Sequence, residues 1–215
     1  LLVFTDSLDP DDLVQFYNRG FPMVMIHQTP PRSLAIPCVT VENKAASFKL
    51  VSHLVEAHGR RRIVFASGPQ GQEDSVWRET GYREALSAHA LPFDPLRIIP
   101  GDFDRRVAQD SIQKLLASGV PFDAVFAADD ESAVGILKGL QTAGRRVPEE
   151  IAVVGVDDQR MSPYLSPPLT TVRAPTEEVG QQAALQLIKL IQGQQAAPLT
   201  LLPTDIVIRH SCGCA

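Results

Sequence analysis

Short apolar runs alternate with segments of helical period along almost the whole chain. Leu1-Leu2-Val3-Phe4 is an apolar run of strand length. Asp9-Pro10 then offers an N-cap and a proline suited to the first helical position, Leu13, Phe16 and Tyr17 fall on one helical face, and Gly20 ends it. Pro22 to Ile26 is the next predicted strand, and Asn43 caps a helix with Phe48, Val51, Leu54 and Val55 on its apolar face and Gly59 at its close. Ile63 to Ala66 predicts a strand, followed by the turn Gly68-Pro69 and a helix with Tyr82, Ala85 and Leu86 on one side.

The alternation continues with a strand at Arg97-Ile98-Ile99 and a helix capped by Asp104 that turns Ala108, Ile112, Leu115 and Leu116 inward. A strand at Ala124 to Ala127 precedes a helix with Ala133, Ile136, Leu137 and Leu140 inward, ended by Gly144. Ile151 to Val156 is apolar throughout, as a central parallel strand covered on both faces requires. Val179, Ala183, Leu187 and Ile191 mark the last long helix, and Leu201 to Ile208 one final strand. Strands and helices in alternation imply parallel sheets with right-handed crossovers, so the fold class is α/β. Ligands of such sheets bind beyond the carboxyl ends of the strands. That rule directs attention to Thr5-Asp6, His27, Gly68, Gly101-Asp102-Phe103, Asp129-Asp130 and Asp157-Asp158.

Composition narrows the classes. The 215 residues are 44% hydrophobic and 21% charged, which suits an ordered globular chain with room for two lobes. The net charge is −5, and the nearest thing to a basic patch, Arg60-Arg61-Arg62, runs straight into Ile63-Val64-Phe65 and reads as a solvated turn. Direct nucleic-acid binding is therefore not expected of this chain. No apolar run reaches the ~18 residues that would span a bilayer, and a cytoplasmic location without membrane contact is expected. The chain opens on Leu1 in a buried-strand pattern, so a further segment is expected upstream.

Cys38, Cys212 and Cys214 make an odd count without a spaced disulfide framework. Cys212-Gly213-Cys214 beside His210 suggests a soft-metal site, but with no second Cys/His pair recognised it reads as an incidental end, and no metal or cofactor is expected.

Catalytic signatures are missing: there is no P-loop, GxGxxG, GxSxG or HExxH, and no Ser or Cys has an evident base. The reading is non-enzymatic. The doublets Asp129-Asp130 and Asp157-Asp158 fit acid/base carboxylates, a hard-metal site, or pairs in which one Asp caps and the other faces a ligand. Asp130 is expected to cap the helix that follows, whereas Asp157 is open between a ligand role and a turn role. Arg78 is either a solvated charge or a guanidinium fork able to hold vicinal hydroxyls or a carboxylate. Trp77 and Phe103 are core residues or aromatic platforms.

Longer stretches carry a resemblance. They include Gly59-Arg60-Arg61-Arg62-Ile63, Arg78-Glu79-Thr80-Gly81-Tyr82, Pro100-Gly101-Asp102-Phe103, and Asp123-Ala124-Val125-Phe126-Ala127-Ala128-Asp129-Asp130. The most specific are Arg146-Val147-Pro148-Glu149-Glu150-Ile151-Ala152-Val153-Val154-Gly155-Val156-Asp157-Asp158, Pro167-Pro168-Leu169-Thr170-Thr171-Val172-Arg173 and the ending Arg209-His210-Ser211-Cys212-Gly213-Cys214. In this order they resemble the effector-binding domain of the lac-repressor (LacI/GalR) family of transcriptional regulators.

The resemblance implies a periplasmic-binding-protein type I fold: two Rossmann-like parallel-sheet lobes joined by a hinge, the first incomplete at its N-terminus. It implies a first lobe of residues 1–61 plus 174–200 and a second of 62–173 plus 201–215, with crossings near 60, 173 and 200. It further implies a small polar, sugar-like effector bound between the lobes, a homodimer, and DNA contact only through a helix-turn-helix headpiece outside this chain.

Carried over position by position, Arg78 and Asp157 fall on the family's effector-binding residues, Phe103 on a position often aromatic, and Asp74 on a polar ligand-side position. Asp129 and His27 complete the expected ligand set. Asp129-Asp130 departs from the family's usual Asn-Asp, which suits a donor-rich or cationic ligand better than an unmodified hexose. Ala57-His58-Gly59 and the Ser211-Cys212-Gly213-Cys214 ending also resemble sensor domains fused to diguanylate cyclases or histidine kinases. An input domain of that kind and a sugar-transport binding protein are the alternative readings.

Overall fold

The computed structural model describes residues 1–5 and 7–214. In chain order its elements are β1 (Leu2–Phe4), α1 (Pro10–Asn18), β2 (Val24–Ile26), β3 (Cys38–Val41), α2 (Asn43–Glu56), β4 (Ile63–Ser67), α3 (Glu73–Ala88), β5 (Ile98–Pro100) and α4 (Arg105–Ser118). Then follow β6 (Ala124–Ala127), α5 (Asp130–Thr142), β7 (Ala152–Asp157), β8 (Thr170–Arg173), α6 (Thr176–Ile191), β9 (Leu199–Leu202) and β10 (Asp205–Val207). They form two compact units, one of Leu1–Glu42 with Pro175–Thr204 and one of Asn43–Ala174 with Asp205–Ala215.

The first unit holds a parallel sheet in the order β1-β2-β3-β9. Successive side chains of a strand point to opposite faces, so a sheet covered on both needs apolar residues at every position. Val24, Ile26, Val39 and Val41 meet Val179 and Ala183 of α6. Val3, Met23, Met25 and Cys38 meet Leu13 of α1 and the loop residues Leu34 and Ile36.

The second unit repeats the arrangement on a larger scale, with the strand order β10-β8-β7-β6-β4-β5. All its strands run parallel except β10, which pairs antiparallel with β8. Phe65, Phe126 and Val154 face α2 and α3, while Val64, Val125 and Val153 face α4 and α5. Phe65 stacks on Tyr82 with ring centroids 5.4 Å apart, and the Tyr82 hydroxyl donates to the Ile63 carbonyl at 2.8 Å. Each large apolar side chain fully buried in these layers contributes about 1.5–3 kcal/mol relative to exposure.

Two expectations need correction. The helix α2, assigned above to the first lobe, belongs to the second unit. Its Leu50, Val51 and Leu54 are fully buried in the cluster that contains Phe65 and Tyr82, so the first passage falls at Glu42–Asn43 rather than near 60. The other passages fall at Ala174–Pro175 and Thr204–Asp205. The single final strand at Leu201 to Ile208 is instead two strands in different sheets: β9 beside β3, and β10 beside β8. Pro203 sits at the break, where its missing N–H ends one ladder. Among the described residues no helix is long and apolar enough to cross a membrane.

Candidate functional site

Three strand ends of the second unit converge with α3. After β4 the chain turns through Gly68; after β6 it passes Ala128 and Asp129 into α5; β7 ends on Asp157. Arg78 of α3 reaches the carboxyl ends of these strands. It is only 4% exposed, which makes it a buried cation rather than the solvated charge of the alternative reading.

Its guanidinium is held on two sides. Nε donates to Asn43 Oδ1 at 2.8 Å, and Nη1 donates to the Ala128 carbonyl at 2.7 Å. Nη2 faces two carboxylates at ion-pair distance, Asp74 Oδ2 at 3.8 Å and Asp157 Oδ1 at 3.7 Å. Those separations exceed a hydrogen bond, so the outer edge of the fork keeps capacity for a further acceptor. Asp74 itself accepts from Asn43 Nδ2 at 2.9 Å.

Phe103 closes one side, with Arg78 Cζ 5.7 Å from its ring centroid. The ring seats against Gly68, where an added Cβ would fall 2.4 Å from two ring atoms. Beside it opens a pocket of about 680 Å³ lined by Ser67, Gly68, Gln70, Ser75, Glu79 and Asp102 among others.

The acidic doublets divide their roles in an order the sequence did not disclose. Capping was expected of Asp130, but Asp129 performs it, accepting from the backbone N–H groups of Glu131 at 3.2 Å and Ser132 at 3.0 Å. Because both its oxygens serve this cap, the donor-seeking role expected of Asp129 loses its direct support.

Asp130 is fully buried and accepts from Ser162 Oγ at 2.5 Å, Thr171 Oγ1 at 2.6 Å and the Gln159 N–H at 3.0 Å. In the second doublet Asp158 is the structural member, accepting from Arg209 Nη2 at 2.5 Å and Arg173 Nε at 2.7 Å.

Asp157 is left without such a role, its side chain 35% exposed beside Arg78. Burial pushes its carboxyl up to about 7, Arg78 works in the opposite direction, and Asp130, Asp129 and Asp74 add to the rise. Burial also raises Asp129 and Asp130 above the usual carboxylate range.

The backbone supplies a signal that side-chain patterns did not. Six non-glycine residues have positive φ among those described, and five lie at or just beyond strand ends: His27 at 59°, Asp102 at 51°, Phe103 at 54°, Asp157 at 113° and Asp158 at 52°. Such conformations cost about 1–3 kcal/mol each and cluster where function demands a fixed geometry.

Thus Arg78, Asp74, Asp129, Asp157 and Phe103 come together in the second unit. His27 belongs to the first, beyond β2, with its carbonyl accepting from Thr5 Oγ1 at 3.3 Å. Asp6 lies outside the described residues. Trp77 is not a core residue: it is 44% exposed and its indole N–H donates to Glu73 Oε1 at 3.2 Å. Asn43, expected only as a helix cap, is the residue that orients Arg78. The expectation that Cys212 and Cys214 lack a matching pair is also overturned, since His53 and His58 lie beside them.

Comparison with known proteins gives concordant matches. The family model for the periplasmic binding protein-like domain matches residues 51–212. The HTH-type transcriptional regulator CelR of Thermobifida fusca is 37% identical over 174 residues, 80% of this chain and 51% of the regulator. The HTH-type transcriptional repressor CytR of Escherichia coli K12 is 34% identical over 212 residues, 98% of this chain and 62% of the repressor. The chain thus spans between half and two thirds of the length of these relatives. A solved complex of the transcriptional regulator CelR with cellobiose superposes with a TM-score of 0.90 at 33% identity, covering 98% of this chain and 64% of that one.

Proposed function

Because the chain belongs to the periplasmic binding protein-like domain family, in the form found in LacI-type transcriptional regulators, we propose that it senses a small polyhydroxylated, sugar-like effector without turning it over. The ligand is taken at the carboxyl edge of the second unit's sheet by Arg78 and Asp157. Asp74 supports Arg78, Phe103 offers a ring face, and Asp129 shapes the floor through its cap. His27, in the first unit, keeps its ligand role on the family resemblance alone. The intact regulator contacts DNA through a helix-turn-helix headpiece, a reading supported by the HTH-type names of its relatives, and its cytoplasmic location and homodimeric state rest on the family resemblance alone.

One observation carries this reading: a buried arginine held by Asn43 and Ala128 turns its remaining nitrogen toward a half-open aspartate. The pair offers donors and acceptors side by side, which is what vicinal hydroxyls require. A ligand hydroxyl donating to Asp157 favours its ionised form and so expels its proton. Affinity therefore tightens as pH rises through about 7 and levels once Asp157 is ionised in the free protein.

Isothermal titration with a panel of neutral mono- and disaccharides, cellobiose among them, together with amino sugars and sugar acids, tests the assignment. At least one class is expected to bind, with Asp157→Asn weakening it by roughly 5- to 150-fold, about 1–3 kcal/mol. Silence across the panel, or wild-type affinity in the variant, would overturn it.

A further inference from the structure

At the opposite end of the second unit's sheet, four side chains converge. His53 lies near the end of α2, His58 in the turn that leads to β4, and Cys212 and Cys214 in the segment after β10. One ligand atom from each lies within 4.8 Å of all the others. Cys214 Sγ stands 3.6 Å from His53 Nε2 and 3.3 Å from His58 Nε2, and the two imidazole rings meet edge to face at 5.0 Å. From these distances we infer that His53, His58, Cys212 and Cys214 form a tetrahedral site for a soft divalent cation of the zinc class.

The inference rests on size as well as on donor type. Zinc bonds sulfur at about 2.3 Å and imidazole nitrogen at about 2.0–2.1 Å, and the edge of a tetrahedron is about 1.63 times its radius, which puts neighbouring donors about 3.3–3.8 Å apart. Both Cys214–His distances fall inside that range. Two thiolates and two neutral imidazoles are a common structural zinc set, and binding releases two thiol protons to leave an uncharged centre.

The surroundings fit a pre-shaped site. Cys212 is fully buried, and Thr170 Oγ1 lies 3.2 Å from its sulfur, as an outer partner that steadies a ligand would. Gly213 has φ +113°, and an added Cβ there would stand 3.0 Å from His58 Nδ1, so the glycine lets the imidazole lie across the backbone between the two cysteines. Ser211 donates to the Val153 carbonyl at 2.6 Å, which ties this segment to the amino end of β7. The six residues of β7 separate that end from Asp157 by about 17 Å, so the metal site and the ligand site are distinct. A bound ion joins the end of α2 to the C-terminal segment and clips that segment onto the second unit.

The test uses the reduced, metal-stripped 215-residue chain, titrated with Zn²⁺ against a chromophoric chelator and, separately, with Co²⁺. One ion per chain is expected, with a thiolate-to-cobalt charge-transfer band and a Zn²⁺-dependent rise in melting temperature. Cys212→Ser risks misfolding, because that side chain has no exposure. The deciding variants are therefore Cys214→Ser and His58→Gln, both partly exposed. Each is expected to lose at least about 10- to 100-fold in Zn²⁺ affinity, while the exposed His210→Gln retains it. Absence of the cobalt charge-transfer band, or equal affinity in wild type and both deciding variants, would overturn the site.

Discussion

Replacing Asp157 with asparagine keeps the shape of the side chain and removes its charge. In the free protein the carboxyl sits near 7, against an ordinary value of 3.8. The native state therefore holds more protons than the unfolded state between these values. By linkage, stability must fall as pH rises from about 4 to about 7, then stay level.

A rise of that size would correspond to about 4 kcal/mol if the group were dry. The side chain is 35% exposed, however, and solvent screening brings the expected cost of ionisation to about 1–2 kcal/mol. Asp157→Asn should thus stabilise the ligand-free chain by about 1–2 kcal/mol at pH 8. At pH 5 the gap should close to within about 0.5 kcal/mol, because wild-type Asp157 is then protonated and neutral like the amide.

Urea unfolding of both proteins at pH 5, 6, 7 and 8, followed by far-UV circular dichroism, measures the difference directly. Asp129 and Asp130 are also raised and tilt both curves the same way, so the comparison isolates position 157. An asparagine variant less stable than wild type at pH 8, or parallel pH profiles for the two proteins, would refute the electrostatic account. The expected result is a side chain kept for binding at a cost to stability.

Arg78→Ala should unfold more readily than wild type by about 2–5 kcal/mol, because it strips a buried cation from Asn43 and the Ala128 carbonyl. Thermal melts beside those of Asp157→Ala check it. Arg78→Lys should recover part of the stability but little of the ligand affinity, since an ammonium cannot hold three sides at once.

Asp158 stays below the usual carboxylate range despite burial, through its bonds to Arg209 and Arg173. Its contribution is present at neutral pH and lost as pH falls through its lowered value. Asp158→Asn should accordingly flatten the acid limb of the stability profile, seen in urea midpoints from pH 2 to 6.

The strands that are legible in the sequence are those buried on both faces. Ile63 to Ala66, Ala124 to Ala127 and Ile151 to Val156 appear at or within one residue of the predicted limits, because their apolar runs are unbroken. By contrast β3 is not legible: Cys38–Val41 contains Thr40 and follows Pro37, so it lacks an apolar run of that kind. Motif position singles out Arg78 and Asp157, but the direction in which each side chain points, and hence their pairing, comes only from the fold.

The exchange of roles between Asp129 and Asp130 turns on a one-residue shift of the helix start, which composition does not encode. The four-residue cluster escapes for a different reason. His53 and His58 are 154 or more residues from Cys212 in sequence, and only the return of the chain beside β8 brings them together.

That return also bears on how the molecule is made. The first unit takes its last strand, β9, from residues 199–202, and the second takes β10 and the segment after it from residues 205–215. During synthesis each sheet thus waits on a strand that leaves the ribosome only after α6. Until then the edges of β3 and β8 lack their final partners and stay open to improper pairing. A chain truncated shortly after Thr204 would keep β9 in the first unit's sheet and lack β10 in the second's, so the loss should register in the second unit's solubility while sparing the first.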